Sequence, residues 1–269
     1  MTDPLGPTPS DEQPRSAKLR KSVYILPNLL TTASLFSGFL GILWAVNGRY
    51  EDAALAILIS AVFDGLDGKV ARLTNTASEF GVQYDSLADL VAFGVTPAVL
   101  LYFWHLRPYG RLGIAACFLF MVCGALRLAR FNVQSATASK KFFTGLPIPA
   151  AACTVATLVF FTAFVPDNMA QHVPMACLIL AYVLSFLMVS RVRFASFKEY
   201  GMIKAHPFGS MVTVILLFVL IASQPKLLGF IFLIVYVFSG PIYTYVFMPR
   251  RHPKLMREQP GKGDSTIKG

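Results

Sequence analysis

The segment Asp64-Gly-Leu-Asp-Gly-Lys-Val-Ala-Arg72 ends one apolar run of the sequence, and Gly81-Val-Gln-Tyr-Asp-Ser-Leu-Ala-Asp89, eight residues further on, begins the next. Asp64 and Asp67 are three residues apart, and Asp85 and Asp89 are four apart, so each pair shares one face of a helix. The short connection between the segments can bring the two helices together as an antiparallel pair. The spacing therefore predicts that four carboxylates converge where two apolar helices meet.

The composition around these segments predicts an all-α integral membrane protein. Of the 269 residues, 55% are hydrophobic and 14% are charged, whereas soluble domains carry about 25% charged residues. A spanning helix needs about 20 mostly apolar residues. Eight candidate spans meet this need, at roughly 24–47, 51–72, 84–106, 111–131, 147–165, 173–190, 208–223 and 227–248.

The distribution of positive charge predicts the orientation of these spans. Of the 24 Lys and Arg residues, 20 fall in the two tails and in alternate connections, which places both termini on the cytoplasmic side of a multi-pass cell (inner) membrane protein. The net charge of +10 is spread over short segments between apolar runs, which argues against a nucleic-acid partner. We expect a disordered tail at 1–22, a membrane domain at 23–248 and a basic tail at 249–269.

Four carboxylates at membrane depth need counter-charge, because each is costly to bury. Hard oxygen ligands suit Mg²⁺ or Mn²⁺, and a pair of such ions can clamp a displacement at phosphorus. Gly65 and Gly68 leave one flank of the helix thin for a bulky ligand, and Arg72 can reach a phosphate oxygen. The alternative is that the aspartates are ordinary helix-capping and interface residues.

The two segments together match the signature of the CDP-alcohol phosphatidyltransferase family at every fixed position, and the chain resembles that family. The resemblance implies a six-helix core followed here by two C-terminal helices, a homodimer, and a site open to the cytoplasmic leaflet. It also implies two divalent cations bound by Asp64, Asp67, Asp85 and Asp89, with Asp64 and Asp85 touching both ions. Asp89 would in addition act as the general base toward the acceptor hydroxyl.

The family resemblance further implies which residues contact CDP-diacylglycerol, namely Asn28, Thr31, Gly68, Arg72 and Ser78. The first helix offers independent support, because Pro27 can open a helix at its first position. Asn28 and Thr31 would then be polar side chains on an otherwise apolar turn. A simple helix cap would explain the same residues.

Four further stretches resemble the serine-using branch of the family: Ile25–Thr31, Ser86–Ala98, Gly145–Ala150 and Leu187–Lys198. The resemblance thus extends from residue 24 to about 200 and implies L-serine as the acceptor. Arg127 and Arg130, at the end of the fourth span, are candidate anchors for the serine carboxylate. Arginines at this position could instead anchor the helix at the membrane surface.

Two rival functions remain at this stage. Glycerol 3-phosphate or another alcohol could replace serine in the same chemistry. A cation transporter could also place carboxylates in the membrane, although transport sites tend to lie near the midplane. Here the acidic residues lie at the cytoplasmic edge of the spans, which favours the enzyme.

Overall fold

The computed structural model describes residues 15–74, 76, 78–137, 145–192, 224–242 and 244. These residues form helices and connections, without a strand among them. The helices are α1 (Arg15–Val46), α2 (Tyr50–Leu73), α3 (Glu79–Tyr109), α4 (Arg111–Thr137), α5 (Ile148–Phe161), α6 (Val173–Val189) and α7 (Pro225–Ile242), and a single turn at Asp167–Ala170 precedes α6.

The apolar helices confirm the prediction of an all-helical membrane protein. Three segments are long and apolar enough to cross a bilayer: Leu26–Val46, Glu79–Tyr109 and Arg111–Val133. Shorter apolar helices occupy Ile148–Phe164, Val173–Val189 and Lys226–Ile242. Helix α2 coincides with the predicted span at 51–72, and the predicted span at 208–223 lies outside the described residues.

Two helix starts differ from the prediction. Helix α1 begins at Arg15, so residues 15–22 of the expected tail are helical and Pro27 lies inside the helix instead of opening it. Residues such as Ala17, Lys18 and Leu19 favour helix, and a proline inside a membrane helix is tolerated because neighbouring groups satisfy the freed backbone. Helix α3 begins at Glu79, since Ser78 caps it.

Helices α1 and α2 pack closely through small polar residues. The Ser34 hydroxyl donates to the Ser60 carbonyl (3.2 Å), and the Ser60 hydroxyl donates back to the Ser34 carbonyl (2.7 Å). One turn further along, the Ser37 hydroxyl donates to the Ala56 carbonyl at 2.9 Å. Small side chains of this kind let helix backbones approach each other within a bilayer. The pairing fixes α2, and hence Asp64 and Asp67, against α1.

Helix α3 contains a π-helical segment at Leu90–Val95, directly after Asp89. The Thr96 hydroxyl shares its hydrogen between the Val91 carbonyl (2.9 Å) within this segment and the Gly38 carbonyl of α1 (3.0 Å). Gly38 lies so close that a Cβ added there would be 2.7 Å from the Cα of Ala92. The widened turn is thus held directly against α1. A second π-helical segment occupies Tyr102–Leu106.

The entry to α5 packs on the end of α6. The Gly145 N–H donates to the Val192 carbonyl (2.8 Å), and the Leu146 N–H donates to the Leu187 carbonyl (3.1 Å). Gly145 adopts a φ of +87°, which an L side chain would strain. The stretch Gly145–Ala150 quoted for the family resemblance therefore meets residues 187–192, the described part of the stretch Leu187–Lys198.

Candidate active site

The last turns of α2 and the first turns of α3 bring three of the predicted carboxylates together. Asp64, Asp67 and Asp85 each offer one oxygen, and these oxygens all lie within 4.8 Å of one another. The arrangement follows from the sequence spacing, because the antiparallel helices turn their acidic faces toward each other. Asp89 lies beside this group, with its carboxyl group hydrogen-bonded to that of Asp64.

Asp67 is the most tightly held of the four. Its Oδ2 accepts a hydrogen bond of 2.7 Å from the Thr31 hydroxyl of α1. The carboxylate also interacts electrostatically with Arg72. Thr31 on α1 and Arg72 on α2 thus both act on the Asp67 side chain.

Asp85 has the opposite surroundings. Its Oδ1 is buried and has no hydrogen-bond partner, and Asp64 and Asp67 both repel it. A buried carboxylate oxygen without a donor carries a large desolvation cost. Hard divalent cations prefer such oxygen ligands, so Asp64, Asp67 and Asp85 fit a metal ion.

The capping alternative does not describe these aspartates. Asp52, in the first turn of α2, is an ordinary surface acid that pairs with Arg49 at 2.6 Å. By contrast, Asp64, Asp67 and Asp85 face one another and have no salt bridge within 4.0 Å among the described residues. Their juxtaposition is one that could hold a metal ion.

The residues expected to contact CDP-diacylglycerol gather around the start of α3. The Ser78 hydroxyl accepts a bond from the Gly81 N–H at 3.0 Å. The Asn28 Oδ1 lies 3.5 Å from where a Cβ on Gly81 would be. On α2 the Arg72 guanidinium lies over Gly68, 3.7 Å from the equivalent position. Thr31 also lies here, although its hydroxyl is engaged with Asp67.

The two arginines proposed as acceptor anchors have different surroundings. Arg127 on α4 interacts electrostatically with Asp89, and its Nε is buried without a hydrogen-bond partner. The Arg130 Nη1 donates to the Val189 carbonyl at the end of α6, at 3.3 Å. Arg127 therefore lies with the aspartates, whereas Arg130 contacts a helix end.

Two further residues approach the site without having been predicted. Tyr236 on α7 interacts electrostatically with Arg127. The Cys153 thiol on α5 lies near enough to Asp64 for an electrostatic interaction. Both residues fall inside plain apolar spans, and no spacing or motif in the sequence distinguishes them from packing residues.

Comparison with known proteins agrees with this geometry. The family model for CDP-alcohol phosphatidyltransferases matches residues 24–187. A CDP-diacylglycerol–serine O-phosphatidyltransferase of Helicobacter pylori is 42% identical over 182 residues, which cover 66% of this chain and 74% of the relative. An archaetidylserine synthase of Methanothermobacter thermautotrophicus is 37% identical, over 67% of this chain and 73% of the relative.

A CDP-diacylglycerol–serine O-phosphatidyltransferase of Mycobacterium leprae is 40% identical over 152 residues, which cover 55% of this chain and 50% of the relative. The family match covers more than half of the chain and includes the helices that carry the four aspartates. This confirms the resemblance expected from the signature. The chain belongs to the CDP-alcohol phosphatidyltransferase family.

Proposed function

We propose that the protein transfers the phosphatidyl group of CDP-diacylglycerol to the hydroxyl of L-serine, forming phosphatidylserine and CMP. The convergence of Asp64, Asp67 and Asp85, within the family signature and at the end of apolar helices, carries the proposal. The names of the relatives from Helicobacter pylori and Mycobacterium leprae supply both substrates.

The proposal includes two divalent cations, Mg²⁺ or Mn²⁺, bound by Asp64, Asp67, Asp85 and Asp89. Bound ions would neutralise the diphosphate of the substrate and stabilise the attacking and leaving oxygens of an in-line displacement. The unpartnered Oδ1 of Asp85 supports this assignment, as does the all-oxygen ligand set.

The protein's own residues would perform the proton transfer. Asp89 takes the proton of the serine hydroxyl, whose oxygen forms a bond to the β-phosphorus of CDP-diacylglycerol. The bond from that phosphorus to the bridging oxygen breaks, and CMP leaves with the electron pair. Arg72, beside Gly68, is positioned to bind a phosphate oxygen with its planar guanidinium, and Asn28 and Ser78 would contact the same substrate.

The surroundings of Arg127 support serine as the acceptor. The carboxylate and the hydroxyl of serine are separated by only two carbons, so an anchor close to the base can hold both groups. Arg127 interacts with Asp89 and has a buried Nε without a partner. A carboxylate bound to Arg127 would leave the serine hydroxyl near Asp89.

We further propose that eight spans cross the cell (inner) membrane with both termini in the cytoplasm. The membrane domain would comprise residues 23–248, with a six-helix core and two C-terminal helices, and would form a homodimer in contact with membrane lipids. Exposed apolar side chains such as Phe36, Val62 and Phe186 support burial of the outer surface in lipid.

An acceptor screen tests the function. Purified protein receives CDP-diacylglycerol and Mn²⁺ with L-serine, glycerol 3-phosphate or inositol 1-phosphate, and both CMP release and the lipid product are measured. We expect phosphatidylserine with L-serine and little product with the phosphorylated acceptors. The Asp85→Asn protein serves as the blank. A higher rate with glycerol 3-phosphate would refute the serine assignment while leaving the family chemistry intact.

A further inference from the structure

We propose that Thr31 is a positioning residue for Asp67, which directs that carboxylate toward a bound divalent cation. The inference rests on the proposed function only in requiring a cation at the aspartate group. It assigns to the Thr31 hydroxyl a role beyond the substrate contact that the family resemblance implies.

The hydrogen bond between the two residues is short and buried. The Thr31 Oγ1 lies 2.7 Å from the Asp67 Oδ2 and 3.1 Å from the Pro27 carbonyl oxygen. A hydroxyl has one hydrogen to donate, and a carboxylate is a stronger acceptor than a neutral carbonyl. The hydrogen therefore goes to Asp67, as the shorter distance indicates.

Both side chains of this hydrogen bond are buried. Thr31 is 4% exposed and Asp67 is 5% exposed. The Thr31 hydroxyl thus faces the interface between α1 and α2, where Asp67 uses its hydrogen.

The hydrogen bond from Thr31 leaves Asp67 prepared for a ligand. Thr31 engages Oδ2 from α1, and Arg72 attracts the same carboxylate from α2. The carboxylate can therefore turn little, while one of its oxygens remains within 4.8 Å of oxygens of Asp64 and Asp85. Hydrogen bonds from outside the ligand set orient metal-binding groups in this way, and losing one typically weakens metal affinity by about 10–100-fold.

The test measures Mn²⁺ binding by electron paramagnetic resonance on the full chain in detergent, without CDP-diacylglycerol or serine. We expect Thr31→Val to weaken Mn²⁺ affinity about 10-fold or more, and Thr31→Ser, which keeps the hydroxyl, to bind Mn²⁺ like the unmodified protein. Thr154→Val is the matched control, because Thr154 is equally buried and its hydroxyl donates to the Ala150 carbonyl of its own helix.

Unchanged Mn²⁺ affinity in Thr31→Val would overturn the inference. If Thr31→Val does not fold, Thr31→Ser still decides, because weak Mn²⁺ binding by the folded serine variant would also overturn the inference. CMP release only with an acceptor other than serine would refute the proposed function and leave the Thr31 effect on Mn²⁺ in place.

Discussion

Asp89 differs from the other three aspartates in its neighbours. Its carboxyl group is hydrogen-bonded to Asp64 and lies within electrostatic range of Arg127, while the oxygens of Asp64, Asp67 and Asp85 form the close group. A carboxylate at the edge of a metal-binding group, next to a cation that can hold the acceptor, is suited to accept a proton. Substitution of Asp89 should therefore reduce turnover much more than it reduces substrate binding.

We expect Asp89→Asn to lower turnover by about 10²–10⁴-fold, the range typical for loss of a general base. The variant should still bind CDP-diacylglycerol and Mn²⁺, the latter more weakly, because one proposed ligand is lost while Asp64, Asp67 and Asp85 remain. Electron paramagnetic resonance and lipid-binding assays measure the two affinities. Asp85→Asn is the comparison, and it should lose both Mn²⁺ binding and turnover. An Asp89→Asn protein that binds no CDP-diacylglycerol would contradict the base assignment.

A second prediction at the residue scale concerns Arg127. Arg127→Ala should raise the KM for L-serine about 10–100-fold, because a charge-assisted hydrogen bond contributes about 1.5–3 kcal/mol. The KM for CDP-diacylglycerol should change less. Arg130→Ala is the matched control, since the Arg130 guanidinium donates to the Val189 carbonyl. A larger rise in the KM for L-serine in Arg130→Ala than in Arg127→Ala would show that Arg130, and not Arg127, binds the serine carboxylate.

The residue scale also shows where sequence reasoning stops. The three- and four-residue spacings were enough to predict that Asp64 and Asp67 share one helix face and that Asp85 and Asp89 share another, since helix geometry alone fixes that. The bond from Thr31 to Asp67 depends on how closely α1 approaches α2, and the approach of Tyr236 to Arg127 depends on where α7 packs. Neither distance is encoded in a local spacing.

At the scale of elements, the π-helical segment after Asp89 connects helix packing to the site. Leu90–Val95 contacts α1 at Gly38, and α1 also supplies Thr31. A shift of α3 away from α1 would move Asp89 relative to Asp64. Close packing at Gly38 is therefore a condition for the geometry of the aspartates.

Gly38→Ala tests this condition. The added Cβ would lie 2.7 Å from the Ala92 Cα, a backbone atom that no rotamer change can move. Overpacking costs about 1–3 kcal/mol, of which the better helix propensity of alanine offsets about 0.5–1 kcal/mol. We expect a lower thermal unfolding midpoint in detergent, with reduced turnover.

Gly229→Ala is the control for this substitution, because its Cβ would meet only the Thr157 Cγ2 at an ordinary 3.7 Å. That variant should unfold at or slightly above the original temperature. Equal stability of the two alanine variants would show that α1 and the π-helical segment can separate without cost.

The elements themselves were predictable from apolar runs, and most helix bounds agree within a few residues. The exceptions have local causes. Helix α1 continues through Pro27 to Arg15, because one missing hydrogen bond does not outweigh favourable helix formers. The π-helical segments could not be predicted, since apolar runs do not distinguish them from α-helix.

At the scale of the whole molecule, one end of the helices holds the features of the candidate site. These are the aspartates, the end of α4 and the contact between Gly145 and Val192. The opposite end holds the Arg49–Asp52 pair and the contact between Lys226 and Glu51. Basic residues are few at that second end, as the predicted orientation requires. The apolar sides of the helices between the two ends remain exposed in the isolated chain.

The uneven distribution of basic residues between the two ends leads to a prediction about topology. Because 20 of the 24 basic residues fall on the side of the tails, and the positive-inside rule places such a side in the cytoplasm, both tails should be shielded in intact cells. Cysteines introduced as Ser10→Cys and Ser265→Cys should therefore resist a membrane-impermeant thiol reagent until the cells are lysed. Asn168→Cys, in the turn before α6, should be labelled in intact cells. Labelling of one tail without the other would require an odd number of spans, and the predicted span at 208–223 would then be the one to remove.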